Sequence, residues 1–214
     1  VTRFVERIAE IRAAIGDDID LAVDFHGRVS PAMAPWLCRE LEPYGLMFVE
    51  EPVLPENVDA MAKVARMTTI PIATGERKFT TFEFREILEK QAANVLQPDL
   101  CHAGGISQVM KIAAMGETYF CSMAPHNPLG PLALAACLQV DTVIPNFTAQ
   151  EHPSFEDGWD LGGPYLKKPF EIVDGYISIP EGPGMGIEID EAGIKENQID
   201  GRWETPRVMF ADDH

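Results

Sequence analysis

Three acids recur at a fixed interval in this chain: Asp24, Glu50 and Glu76, each 26 residues beyond the one before. Each follows a short apolar run: Leu21-Ala22-Val23, Leu46-Met47-Phe48-Val49, and Ile70-Pro71-Ile72-Ala73 ahead of Thr74-Gly75. Such runs read as buried strands whose carboxylates emerge at the C-terminal end, with Pro52 stopping the second after Glu50-Glu51. In a parallel sheet all three acids share one rim. There they repel one another and raise their pKa values unless a cation sits among them. Oxygen donors without Cys or His suit Mg²⁺. A single acid after a strand more often caps the next helix. Three at equal spacing point to a divalent metal site.

The interval continues. Asp99 ends Asn94-Val95-Leu96-Gln97-Pro98, 23 residues past Glu76; His126 ends Phe120 to Pro125, 27 residues on; Glu151 ends Asn146 to Gln150, 25 later. Neighbouring strand ends set a carboxylate, Asp99, beside an imidazole, His126, which fixes the tautomer and raises the basicity of a general base. His26 lies two residues past Asp24 and points the same way if the strand persists, so it is a second acid/base candidate across the metal. His102, His152 and His214 lack such placement and read as structural.

The intervening segments carry helical spacing. Thr2 to Gly16 sets Phe4, Val5, Ile8, Ile11 and Ile15 on one face. Ser30-Pro31 opens a second helix with Met33, Trp36, Leu37 and Leu41 inward, Ser30 as cap. Pro55 opens a third with Val58, Met61 and Val64, and Thr80 or Thr81 caps a fourth with Phe84, Ile87 and Leu88. Gly104 to Tyr119 and Pro131 to Val143 follow. The Gly104-Gly105 pair could cradle phosphate, but without a full glycine motif a turn or close packing is the expectation. Strands alternating with helices predict an α/β fold of βα units, with functional groups at every C-terminal strand end as in a partial (β/α) TIM-like barrel. About six of the eight strands of a full barrel are legible. The chain starts mid-unit and reads as truncated, since an open barrel leaves two parallel edges unpaired.

Residues 1–152 are thus expected to form the barrel portion and 153–214 a C-terminal extension. In the extension Gly158 to Tyr165 reads as loop, Phe170 to Ile179 as a hairpin about Asp174-Gly175, and Pro180 to Gly186 as a linker. The polar remainder, through Trp203 to His214, reads as a surface tail.

The chain has 214 residues and a net charge of −17, which disfavours nucleic acid and anionic membranes as partners. No apolar run approaches the roughly 20 residues of a membrane span, and no signal-peptide pattern opens the chain. Cys38, Cys101, Cys121 and Cys137 form no C-x-x-C pair and read as reduced, buried thiols of a cytoplasmic protein.

The segments Val23-Asp24-Phe25-His26-Gly27-Arg28, Glu50-Glu51-Pro52, Gly75-Glu76-Arg77, Gln97-Pro98-Asp99 with Gly104-Gly105, and Ala124 to Pro131 resemble the enolase superfamily. Within it they resemble the mandelate racemase subgroup, most of all the D-galactonate dehydratases, over residues 1 to about 190. The resemblance implies the superfamily's (β/α)7β barrel and a Mg²⁺-dependent hydro-lyase acting on a galactonate-like sugar acid to give a 2-keto-3-deoxy acid via an ene-diolate. It implies Asp24, Glu50 and Glu76 as Mg²⁺ ligands. His126, oriented by Asp99, takes the C2 proton, and His26 protonates the leaving 3-hydroxyl. Glu151 hydrogen-bonds the ene-diolate, and Arg77 and Asn127 contact substrate hydroxyls. The Lys- or His-base pairing with Mg²⁺ is the general enolase-type pattern. A homo-oligomer is implied, together with an N-terminal capping segment that this chain lacks, as it lacks the basic residue on the strand before Asp24. Asn127 stands where some galactonate dehydratases have cysteine, which keeps related hexonates and pentonates open. The alternatives are a racemase or epimerase of the same superfamily, and a non-catalytic barrel homologue.

Overall fold

The structure is a computed structural model, described here for residues 1–153 and 158–197. Its first part alternates strictly: α1 (Thr2–Ile15), β1 (Val23–Asp24), α2 (Ala34–Leu41), β2 (Val49–Glu50), α3 (Val58–Ala65), β3 (Ile72–Thr74), α4 (Thr81–Glu89), β4 (Val95–Leu96), α5 (Ile106–Glu117), β5 (Ser122–Met123) and α6 (Pro131–Asp141). The five strands pair in chain order and all are parallel. This is the α/β partial barrel that the spacing predicts.

The regular ladders are short because proline removes the next donor: Pro52, Pro98 and Pro125 each stand two residues past the end of a strand. Pairing resumes beyond them as an isolated parallel bridge between Asp99 and His126. The sixth strand, expected over Asn146 to Glu151, is reduced to one parallel bridge from Phe147 to Met123, with Met123 N–H donating to Asn146 O at 2.8 Å. Among the described residues it has a single neighbour on the sheet to hold it.

Strand alternation sorts the core into two layers. Val49, Ile72, Leu96 and Met123 face the helices and join the main core, with Leu41, Met61, Phe84, Ile87 and Ile112. Phe48, Ala73, Val95 and Ala124 form a separate buried cluster on the other face, inside the barrel wall. Glu50 pairs in register with Ala73 and therefore shares the interior face.

Several helix starts differ from expectation. Ser30 forms a turn instead of a side-chain cap: its carbonyl accepts from Met33 and Ala34 N–H, and α2 starts at Ala34 with Pro35 in the first turn. The buried stripe becomes Ala34, Leu37, Cys38 and Leu41, and Met33 and Trp36 are exposed. Asn57, not Pro55, opens α3, its Oδ1 accepting from Ala60 N–H at 3.0 Å. Thr80 caps α4 as expected. Cys38, Cys121 and Cys137 are buried free thiols, but Cys101 is exposed, because it lies in the turn after Asp99 and not on an apolar stripe.

Later, a 3-10 turn (Trp159–Leu161) falls in the stretch read as loop. β6 (Ile172–Val173) and β7 (Tyr176–Ile177) make the hairpin, with Asp174 and Gly175 at φ 51° and 80° as a two-residue turn demands. A short α7 (Glu191–Glu196), capped by Asp190, was not foreseen. Trp203 and His214 lie outside the described residues. Among the described residues, no helix is long and apolar enough to cross a membrane.

Candidate active site

Asp24 and Glu50 are register partners on β1 and β2. The β1 strand does not persist to His26 as expected. His26 takes a left-handed turn, φ 49°, and its N–H donates to Asp24 Oδ1 at 2.6 Å. The turn still delivers the imidazole to the rim, where Nε2 lies 3.1 Å from Glu76 Oε1.

Glu76 reaches the same place by a second break in alternation. Gly75 has φ 154°, and a Cβ there would meet the Gln97 backbone at 2.6–2.7 Å. Only glycine lets β3 pass so close to β4 and turn Glu76 toward the interior. Glu50 is almost fully buried, and one oxygen accepts from Gln97 Nε2 at 2.7 Å. Burial, then the charges of Asp24, Glu151 and Glu76, push its pKa up to about 8 against the Gln97 hydrogen bond. Burial likewise raises Asp24, against the hydrogen bond from His26.

The bridge between Asp99 and His126 sets the predicted dyad. His126 Nδ1 lies 2.8 Å from Asp99 Oδ2, while Nε2 faces inward, 3.4 Å from Glu76 Oε2 and 3.9 Å from Glu151 Oε2. Burial pulls the His126 pKa down, but the Asp99 hydrogen bond and the charges of Glu151, Glu76 and Asp99 outweigh it, leaving it raised. Burial raises Asp99, yet the hydrogen bonds from His126 and the Cys101 N–H leave it lowered. Burial raises Glu151, whose Oε2 accepts from Asn127 N–H at 2.8 Å. The six strand-end groups, five carboxylates and the His126 imidazole, thus meet at one rim, with the His26 imidazole beside Glu76.

Among the described residues, one group of ligand atoms lies within 4.8 Å of one another: His26, Glu51 and Glu76. It shares only Glu76 with the predicted trio. Glu51 is poorly suited to serve a cation, because Arg77 grips it through Nε at 3.1 Å and through Nη2. Asp24 and Glu50 fall outside that group, turned to the His26 N–H and to Gln97. The chemistry of the set Asp24, Glu50 and Glu76 nevertheless fits a hard cation: all-oxygen donors, mutually repelling, with Glu50 driven far above its ordinary value.

Two of the residues expected to contact substrate are placed otherwise. Arg77 has one edge of its guanidinium committed to Glu51. The Asn127 side chain is fully buried and has no hydrogen-bond partner. Glu51 and Gln97 went unassigned in the sequence. Alternation held the clue for Glu51, since adjacent Glu50 and Glu51 cannot both face inward. His102, read as structural, has Nδ1 3.8 Å from Asp99 Oδ2, and His152 pairs with buried Asp160 at 2.8 Å. A cavity of about 690 Å³ lies elsewhere, between α6, residues 147–150 with His152, and the hairpin. It is largely apolar and contains none of the six rim groups.

The chain is similar to known proteins along nearly its whole length. The chain is 48% identical to D-galactonate dehydratases of Ralstonia pickettii (strain 12J), over 214 residues, and of Xanthomonas euvesicatoria pv. vesicatoria (strain 85-10), over 213. Each match covers 97% of this chain and 56% of the relative, so the chain spans about half the length of the curated relatives it matches. A mandelate racemase/muconate lactonizing enzyme-like protein from Roseovarius sp. TM1035 superposes with a TM-score of 0.84 at 44% identity, covering 92% of this chain and 49% of that one. A mandelate racemase/muconate lactonizing enzyme from Sulfitobacter sp. superposes with a TM-score of 0.86 at 38% identity, covering 92% and 49%. The family described as "Enolase C-terminal domain-like" matches residues 1–193, and the chain belongs to that family.

Proposed function

We propose that this chain carries the catalytic barrel portion of an acid sugar dehydratase, a hydro-lyase that removes water from a galactonate-like aldonate. The observation that carries the reading is the His126 imidazole, bonded to Asp99 on one nitrogen and facing Glu76 Oε2 with the other, while His26 meets Glu76 Oε1.

His126 takes the C2 proton through Nε2. The Asp99 carboxylate accepts the Nδ1 hydrogen, which keeps the proton-accepting lone pair on the inward nitrogen and stabilises the imidazolium that forms. His26, on the β1 side of the rim, gives a proton to the 3-hydroxyl as the C3–O bond breaks, and the resulting enol tautomerises to the 2-keto-3-deoxy acid. Glu151 has a raised pKa, which favours the protonated form that donates a hydrogen bond to the oxygen developing negative charge. Asp24, Glu50 and Glu76 are the residues that would hold Mg²⁺. When bound, this ion acts as a Lewis acid on the substrate carboxylate. Arg77 is engaged by Glu51 and the Asn127 side chain is buried, so neither is assigned a substrate contact.

The test uses the intact protein with Mg²⁺ and a panel of aldonic acids, scoring keto-acid release and exchange of the C2 proton with solvent. His26→Asn is expected to lose dehydration by about 10²–10⁴-fold and to keep C2 exchange. Unimpaired elimination in that variant removes the acid role of His26, and an intact protein that exchanges the C2 proton without eliminating water returns the site to a racemase or epimerase. An intact protein that neither eliminates nor exchanges is a non-catalytic homologue.

A further inference from the structure

Glu51 is completely shielded from solvent, and its left-handed backbone, φ 37°, turns the chain out of β2 one residue past Glu50. A carboxylate there has to be neutralised, and Arg77 does so with two hydrogen bonds in the planar fork geometry that an ammonium cannot reproduce. Arg77 stands one residue after Glu76. The third loop joins at the same point. The Glu51 carbonyl accepts from Gly27 N–H at 2.8 Å, and a Cβ on Gly27 would lie 2.7 Å from Arg77 Nη2. Gly27 is three residues past Asp24 and has φ 66°. Three loops, each following one of the three rim acids, therefore meet at one guanidinium.

We propose that the Arg77–Glu51 pair is a positioning device that locks the loops after β1, β2 and β3 in register, and so sets Asp24, Glu50 and Glu76 for cation binding; it is not a substrate contact. The inference rests on those three carboxylates being the metal ligands. Losing Arg77 leaves the buried Glu51 charge unpaired, and losing Glu51 releases the partly exposed guanidinium; either change frees the loops to drift, whereas the fork holds them in one arrangement.

The experiment takes the intact protein and the variants Arg77→Met, Glu51→Gln, the double variant and the milder Arg77→Lys, which keeps the charge should the others fail to fold. Two readouts are independent of turnover: Mn²⁺ binding, from the electron paramagnetic resonance signal of the free ion, and hydrogen exchange at the Gly27 amide. Each single variant is expected to weaken Mn²⁺ binding and to speed Gly27 exchange by about tenfold or more, with Arg77→Lys intermediate. The double variant is expected to be no worse than either single, because the pair acts as a unit. Wild-type Mn²⁺ affinity and Gly27 exchange in Arg77→Met, with a raised KM for the aldonate, would overturn the proposal in favour of a substrate contact. Weakened Mn²⁺ binding with unchanged Gly27 exchange overturns the loop lock. A wild-type protein that binds no Mn²⁺, yet whose Gly27 exchange responds to both variants, removes the metal reading and leaves the lock standing.

Discussion

His126 Nδ1 lies 2.8 Å from Asp99 Oδ2, joined by a parallel bridge that forms beyond the prolines ending β4 and β5. Backbone pairing, not side-chain reach, sets this contact, so the imidazole is held in one tautomer with Nε2 inward. Asp99→Asn removes the charge while keeping the shape. It is expected to lower kcat by about 10²–10⁴-fold with little change in KM. His126 must be neutral to act as a base and Asp99 helps raise its pKa, so the limb of the pH–rate profile that rises with pH should move to lower pH in the variant. Steady-state kinetics across pH check both.

Burial pushes Glu50 up to about 8, so a cation that bound it would displace a proton at neutral pH. The apparent Mn²⁺ or Mg²⁺ affinity should therefore rise between pH 6 and pH 8, by up to about tenfold per unit, with about one proton released per ion at the lower end. Glu50→Gln should bind weakly and lose this dependence. Calorimetry in buffers of different ionisation enthalpy measures the release directly.

Asp141, near the end of α6, has both carboxylate oxygens buried without a partner, and burial pushes its pKa up to about 8. The folded state keeps the proton that the unfolded chain gives up near pH 4. Between those values the unfolded state binds fewer protons, so Asp141 makes stability fall as pH rises from about 4 to about 8. Asp141→Asn should remove this slope and raise the melting temperature at pH 8 by more than at pH 5, which thermal melts at the two pH values test.

Gly75→Ala drives a methyl group to 2.6 Å from the Gln97 backbone at a φ that L residues avoid. A loss of about 3 kcal/mol in stability is expected, with Glu76 displaced from the rim. Urea denaturation gives the first effect. A matching drop in Mn²⁺ affinity for the folded fraction gives the second.

The sequence by itself determined the periodic framework. Apolar runs ending in Asp24, Glu50, Glu76, Asp99, His126 and Glu151 at near-constant spacing are enough to specify parallel βα units with all six groups at one rim, because strand direction and repeat length are local properties. Helix faces such as Val58, Met61 and Val64, and the Asp174-Gly175 hairpin, are legible for the same reason.

Only the tertiary structure decided where that periodicity breaks. His26 reaches Glu76 through a left-handed turn and not along a continuing strand. Gly75 turns Glu76 inward against strict alternation because β4 passes too close for any side chain. Glu51, next to Glu50 in the sequence, is turned to Arg77, which commits one edge of its guanidinium to it. These outcomes depend on which loops pack against each other across the rim. That is a property of close-packed neighbours distant in sequence, and no local pattern encodes it.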